Sequence, residues 1–215
     1  PVAADVGLGS RVAAITSTFT QGNLTHVENP FSVALEGDGF FQIRTESGEL
    51  QYTRDGSFEI SPVANGNMLC TSDGNPVLDA YGNQIILPSN RVATDLVVNQ
   101  DGTLAFPDGT GNPAVITDAN GRPVKFGIYQ FNNPAGLSKE GSNNYSVTVA
   151  SGAAVAENGN AAVKQTKTHQ YYTEASNVDV ANEMVNLIVA QRAYEMNSKA
   201  IQASDEMMQQ ANALR

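Results

Sequence analysis

Val180-Ala181-Asn182-Glu183-Met184-Val185-Asn186-Leu187-Ile188-Val189-Ala190-Gln191-Arg192-Ala193-Tyr194-Glu195-Met196-Asn197-Ser198-Lys199-Ala200-Ile201 is the stretch that decides the architecture. Val180, Leu187, Tyr194 and Ile201 recur at a step of seven, Met208 extends the line, and such a step keeps one apolar seam on one side of a helix. The fifty-six residues from Asn160 to Arg215 contain no glycine and no proline, and all 19 Gly and 9 Pro of the chain precede them. The pattern predicts a helix from Val178 to about Ala213, on the order of 54 Å long, more than a small domain can cover. Ser176, with Asp179 three residues on, is placed as its cap, and Asp179 and Glu183 put negative charge at the positive end of the helix dipole. Around Met184 to Ala190 the sequence is apolar on nearly every side, which calls for neighbours on several sides.

Upstream the chain changes character. Asp38-Gly39, Asp55-Gly56, Asn65-Gly66, Asp73-Gly74, Asp101-Gly102, Asp108-Gly109, Asn120-Gly121 and Asn158-Gly159 are turn signals at short spacing, and they demand many short strands. Phe31–Leu35, Phe40–Arg44, Ser57–Ile60, Met68–Thr71, Gln84–Leu87, Leu96–Asn99, Val124–Phe131 and Tyr145–Val149 fill the intervals, with a last strand between Val163 and Tyr172. In Phe40-Phe41-Gln42-Ile43 apolar and polar residues partly alternate, as in a sheet with one wet face. The expected fold is therefore mainly β, an antiparallel body of short strands and turns, with a long C-terminal α-helix suited to coiled-coil-like assembly. The body spans 1–175, with an inserted hairpin or small lobe at 88–123, and the assembly helix spans 176–215; Thr173 to Asn177 is the expected hinge.

The totals exclude several classes. With 215 residues the chain is long enough for one or two domains with a real core. No apolar run approaches the length of a membrane span, and the first residues show no signal-peptide pattern. A formal net charge of -10 and thinly spread basic residues argue against nucleic acid. The single Cys70 rules out an intramolecular disulfide and reads as a small buried residue in a strand. His26 and His169 lack a neighbouring ligand at metal spacing, and Glu36-Gly37-Asp38-Gly39 reads as a tight turn, because no Lys-Ser/Thr follows it. Asp118-Ala119-Asn120-Gly121 begins like a calcium loop, but Tyr129 stands where the bidentate glutamate belongs. Neither catalytic nor metal nor cofactor residues are expected; a hydrolase using Asp73 and Asp79 as paired acids has almost nothing behind it.

Ordered motifs along nearly the whole chain carry a resemblance. They are Gly7-Leu8-Gly9-Ser10-Arg11-Val12, Phe19-Thr20-Gln21-Gly22-Asn23-Leu24, Val33 through Ile43 with its Glu36-Gly37-Asp38-Gly39 core, and Tyr52-Thr53-Arg54-Asp55-Gly56-Ser57-Phe58. They continue in Glu174-Ala175-Ser176-Asn177-Val178-Asp179-Val180, in Glu183 through Ile188, and in Gln191 through Ala200. In these the chain resembles the axial proteins of the bacterial flagellum, the rod and hook family. Gln191 to Ala200 and the short middle look most like distal rod members; Glu174 to Asp179 and Ile188 to Arg192 also look hook-like, and Pro76 to Ala80 is similar to proximal rod members.

The resemblance implies subunits exported through the flagellar apparatus without a cleaved signal. It implies stacking into a helical homopolymer that transmits torque and encloses a channel, with neighbouring rod and hook proteins and the surrounding ring or bushing as partners, and no membrane insertion. It also implies that an N-terminal helix pairs with the C-terminal one, a segment expected before Pro1. The assembly interface is expected at Val180, Met184, Leu187, Ile188, Tyr194, Ile201 and Met208. Ala190, Ala193, Ala200 and Ala211 let other helices approach closely, and Met184, Met196, Met207 and Met208 tolerate unlike neighbours. The contrasting expectation is a secreted β-rich binding module, adhesin-like, with the helix as a stalk.

Overall fold

The computed structural model describes residues 16–108, 113–118, 120–160 and 162–213. The Gly7–Val12 motif and Gly109 of the Asp108-Gly109 turn lie outside these residues. The chain divides into two compact units, Pro1–Ala175 and Ser176–Arg215.

The first unit is built of short strands. In chain order they begin with β1 (Leu24–His26), β2 (Val33–Glu36), β3 (Phe40–Arg44), β4 (Leu50–Thr53), β5 (Glu59–Val63), β6 (Gly66–Cys70), β7 (Ile86–Leu87) and β8 (Val97–Val98). They continue with β9 (Leu104–Pro107), β10 (Pro113–Val115), β11 (Ile128–Gln130), β12 (Ser138–Gly141), β13 (Asn144–Ser146), β14 (Val155–Ala156), β15 (Lys167–Gln170) and β16 (Tyr172–Glu174). The second unit is one helix, α1 (Val180–Ala213).

Every strand pairing is antiparallel. The largest sheet among the described residues has six strands in the order β12-β13-β4-β3-β11-β14, and two further sheets, β5-β6-β7 and β10-β9-β8, have three strands each. Two small sheets bring distant parts of the chain together, β15 against β2 and β16 against β1, and among the described residues no sheet closes into a barrel.

One turn geometry recurs through this body. At Thr45–Glu49, Thr71–Asn75, Asp79–Asn83, Asn99–Thr103 and Asp118–Arg122 the first amide donates to the carbonyl of the fifth residue, and the amide of the fourth donates back to the first carbonyl. The fourth residue is always glycine, and Gly48, Gly74, Gly82, Gly102 and Gly121 all have φ between 75° and 87°. This is the three-residue hairpin loop closed by a left-handed residue, and glycine occupies that conformation without the steric cost of a Cβ. Asp79 and Asp118 reinforce it, each accepting hydrogen bonds from the amides two and four residues ahead.

The main core gathers Val33, Leu35, Phe41, Ile43, Phe58, Leu69, Ile85, Leu87, Leu96, Leu104, Phe106 and Phe126, among others. Leu96, Val98, Leu104 and Phe106 come from the 88–123 region and pack in this same core. A second cluster of Phe40, Tyr52, Phe131 and Leu137 lies on the other side of β3, joined by Phe19, Tyr129 and Tyr145. Strand β3 is thus covered on both faces: Gln42 is 3% exposed and donates to the Tyr52 hydroxyl at 3.3 Å. The wet face expected from its alternation is absent, because aromatic side chains cover the side that carries Gln42. The buried Glu157 ties the end of β14 to its surroundings, accepting from the Thr166 amide and hydroxyl and from Gln130 Nε2.

The expected last strand is two strands. They break at Tyr171, whose φ of 66° turns the chain from β2 to β1. Cys70 lies in β6, buried, with its thiol pKa pushed up by desolvation.

Candidate assembly site

Where the body ends, residues distant in sequence meet around one guanidinium. Arg54, just past β4, donates from Nε to Glu174 Oε2 at 3.0 Å, and from Nη1 to the carbonyls of Gly37 (2.9 Å) and Gly39 (3.2 Å). Its Nη2 reaches Gln21 Oε1 at 3.3 Å and Glu174 Oε2 at 2.9 Å, and the guanidinium carbon lies 5.6 Å from the Phe40 ring centre. The two charged side chains are each 13% exposed, so the pair is shielded from the screening that weakens surface ion pairs.

Gln21 completes the arrangement, donating to the Leu35 carbonyl and accepting from the Gly37 amide, while the Gly22 amide donates to Glu174 Oε1 at 2.9 Å. Glycine is required at 22, since a Cβ there would stand 1.9 Å from the Ala175 carbonyl oxygen. The Ala175 amide donates to Asn23, so the last residue of the body is pinned.

The helix begins with a correction to the expected cap. Asp179 directly precedes Val180, and its Oδ1 accepts from the Ala181 amide at 3.0 Å, so Asp179 is the cap. Ser176 instead accepts from the Val178 amide at 3.2 Å, shaping the connection before the helix.

Taken as a body of its own, α1 has no buried residue. Val180, Met184, Leu187, Ile188, Tyr194, Ile201 and Met208 all lie on it and are between 53% and 77% exposed. In a straight helix the step of seven drifts by roughly 20° per heptad, so the line from Val180 to Met208 slants round the cylinder. Val185, Val189, Met196 and Met207 form a second apolar stripe, roughly 140–180° round from Val180 at 3.6 residues per turn, and all four are more than half exposed. The step of seven did not disclose this opposite stripe; the positions five, nine, sixteen and twenty-seven beyond Val180 carry it.

The acids once weighed for hydrolysis do not form a pair of that kind. Asp79 is 2% exposed and its carboxylate is occupied by Tyr81 and Asn83, whereas Asp73 is an exposed residue of a hairpin loop. His169 Nε2 lies 2.7 Å from Glu36 Oε2, and His26 packs edge-on against Tyr172 at 5.3 Å. Among the described residues no group of three or more His, Cys, Asp or Glu side chains is arranged to hold a metal, and no helix is long and apolar enough to cross a membrane.

A β body with a slender, many-sided apolar helix defines a protein built to be part of something larger. The comparisons name that class: residues 34–106 match the flagellar hook protein FlgE/F/G D1 domain, and residues 169–214 match the flagellar basal body rod FlgEFG protein C-terminal region. The chain belongs to the flagellar hook and basal-body rod family of structural proteins. It is 38% identical over 219 residues to the flagellar basal-body rod protein FlgG of Borreliella burgdorferi, covering 100% of this chain and 76% of that protein. It is 38% identical over 211 residues to the FlgG of Agrobacterium fabrum, covering 96% and 73% of the two chains. Against the flagellar hook-basal body complex protein FlhP of Bacillus subtilis the identity is 34% over 199 residues, covering 91% and 69%.

Proposed function

We propose that this chain is a structural subunit of the flagellar basal-body rod, of the distal kind, that self-assembles into a helical tube transmitting torque and enclosing the export channel. The observation that carries the reading is α1: 34 residues, about 51 Å, with apolar side chains on opposite sides and no buried residue of its own. A helix with apolar side chains on opposite sides buries both only when neighbours cover more than one face. The seven residues of the seam together with the opposite stripe form the assembly interface, and further copies and neighbouring rod and hook proteins supply the cover. Delivery uses the flagellar export apparatus without a cleaved signal; mass spectrometry finding a trimmed N-terminus in assembled rods would contradict that route.

Electron microscopy with helical image analysis on the full-length protein, including the N-terminal helix expected to pair with α1, at raised concentration tests the assembly. Straight tubes with α1 in the inner wall are expected; curved tubes would move the assignment to a hook subunit, and persistent monomers would overturn it. Leu187→Asp combined with Ile201→Asp abolishes tubes while leaving the melting of the β body unchanged. Tubes formed by that variant would remove the seam from the interface.

A further inference from the structure

The strands that lead from the β body toward α1 are held in an unusual way. Residues Lys167 to Gln170 pair with Glu36 to Val33, and Tyr172 to Glu174 pair with His26 to Leu24, so one continuous run of chain is gripped by two different partners. The switch falls on Tyr171, a non-glycine residue at φ 66°, whose amide donates to the Ser32 carbonyl at 2.9 Å and whose carbonyl accepts from Val27 at 2.8 Å. A residue kept in this sparsely populated conformation is kept there by its surroundings. At the far end of the run stands Glu174, fixed by Arg54 and by the Gly22 amide.

We propose that β15, Tyr171 and β16, closed by the Arg54–Glu174 pair, form a clamp that carries force from α1 into the β body; this rests on the reading of the chain as a torque-transmitting subunit. Because α1 follows β16 in the chain, a pull on the helix enters the body through β16. Antiparallel ladder bonds lie perpendicular to the strand, so the part of the pull directed along β16 loads them together in shear. Glu174 is the ladder residue nearest the helix, where a pull arrives first. Arg54 is a positioning residue there, because its planar fork reaches Glu174, Gln21 and the Gly37 and Gly39 carbonyls at once, linking the strand end to the β2–β3 turn. The sequence motifs around Gln21, Gly37, Arg54 and Glu174 are thereby joined in a single device.

Two variants test the clamp. Arg54→Lys keeps the charge and loses the fork, and Glu174→Gln keeps the shape and loses the charge. Hydrogen exchange on the whole chain reads the amides of Gly22, Gly37 and Ala175, which report the device, against those of Leu69 and Ile85 in the core. The expected result is exchange about tenfold faster at the first three amides, corresponding to about 1.4 kcal/mol, with the core amides accelerated by no more than that factor and still exchanging most slowly. Wild-type rates at all three in both variants would overturn the clamp.

The second reading is the bending stiffness of assembled tubes, taken from persistence length in cryo-electron micrographs. Softer tubes are expected, at a melting temperature lowered by only about 3–6 °C. Equal stiffness alongside faster exchange would refute force transfer through this path, since a purely structural contact gives that result. If wild-type protein forms no tubes at all, the rod reading fails, while the exchange measurement still decides whether Arg54 and Glu174 hold the strand end.

Discussion

Glu36 and His169 show how an exposed pair acts on this body. The hydrogen bond from His169 is the leading reason that the Glu36 carboxyl is held below its ordinary 4.5; desolvation opposes it, and attraction to His169, Lys167 and Lys164 adds lesser help. A carboxyl whose folded pKa lies below its unfolded one adds stability that is complete above the unfolded value and is lost as pH falls through the folded value. Glu36→Gln is therefore expected to flatten the acid limb of the stability curve below about pH 4.5. Urea titrations of both proteins across that range check it, and parallel acid limbs would count against the pair. The two residues are 133 positions apart, so the contact was invisible in the sequence, where His169 stood in polar surroundings with no acid beside it.

The elements divide sharply in how legible they were. Helix α1 was readable because its signal is local: the absence of glycine and proline and the step of seven together fix type and extent, and the structure starts it only two residues later than expected. The strands were readable as a class through their turns, yet β4, β9 and β12, among others, escaped: Leu50–Thr53 alternates over only four residues, Leu104–Pro107 is apolar up to its proline, and Ser138–Gly141 carries no apolar side chain. The hairpin at Asp79–Asn83 escaped too, because Tyr81-Gly82 is not a turn dipeptide, and the positive φ is demanded by position in the loop alone. Gly82 has nothing within 4 Å of a built Cβ, so Gly82→Ala meets no clash and should cost only the left-handed backbone penalty, about 1–2 kcal/mol. Gly82→Asn should cost less, as asparagine tolerates that conformation. Thermal melts of the two variants measure the difference, and equal losses would mean that the turn adapts.

For the whole molecule, what remained hidden was the pairing of distant segments. From the sequence, no strand is expected at Leu24–His26 and Thr173 and Glu174 fall to the hinge, and nothing in either segment names the other as partner across about 150 positions. The Arg54 node was hidden for the same reason: its members are unremarkable one by one and become a site only when β1, β16 and the β2–β3 turn come together. Net charge acts at this scale as well. At -10 per chain, copies repel as they approach, and salt screens that repulsion. Raising ionic strength from about 0.01 M to about 0.15 M, over which the Debye length falls from roughly 30 Å to 8 Å, should lower the protein concentration needed for tubes. Sedimentation of assembled material follows this; a rising threshold would indicate that attraction between unlike charges dominates the contact.

The slant of the Val180–Met208 line has one more consequence. An apolar seam with a strict seven-residue repeat is followed by its neighbours only if the helices wind about one another left-handedly. A bundle so wound is a handed spring: twisting it in the sense of the winding draws the strands tighter, and twisting it the other way slackens them. A shaft made from this helix would thus give unequal resistance to clockwise and counter-clockwise rotation, an asymmetry written into residues spaced seven apart.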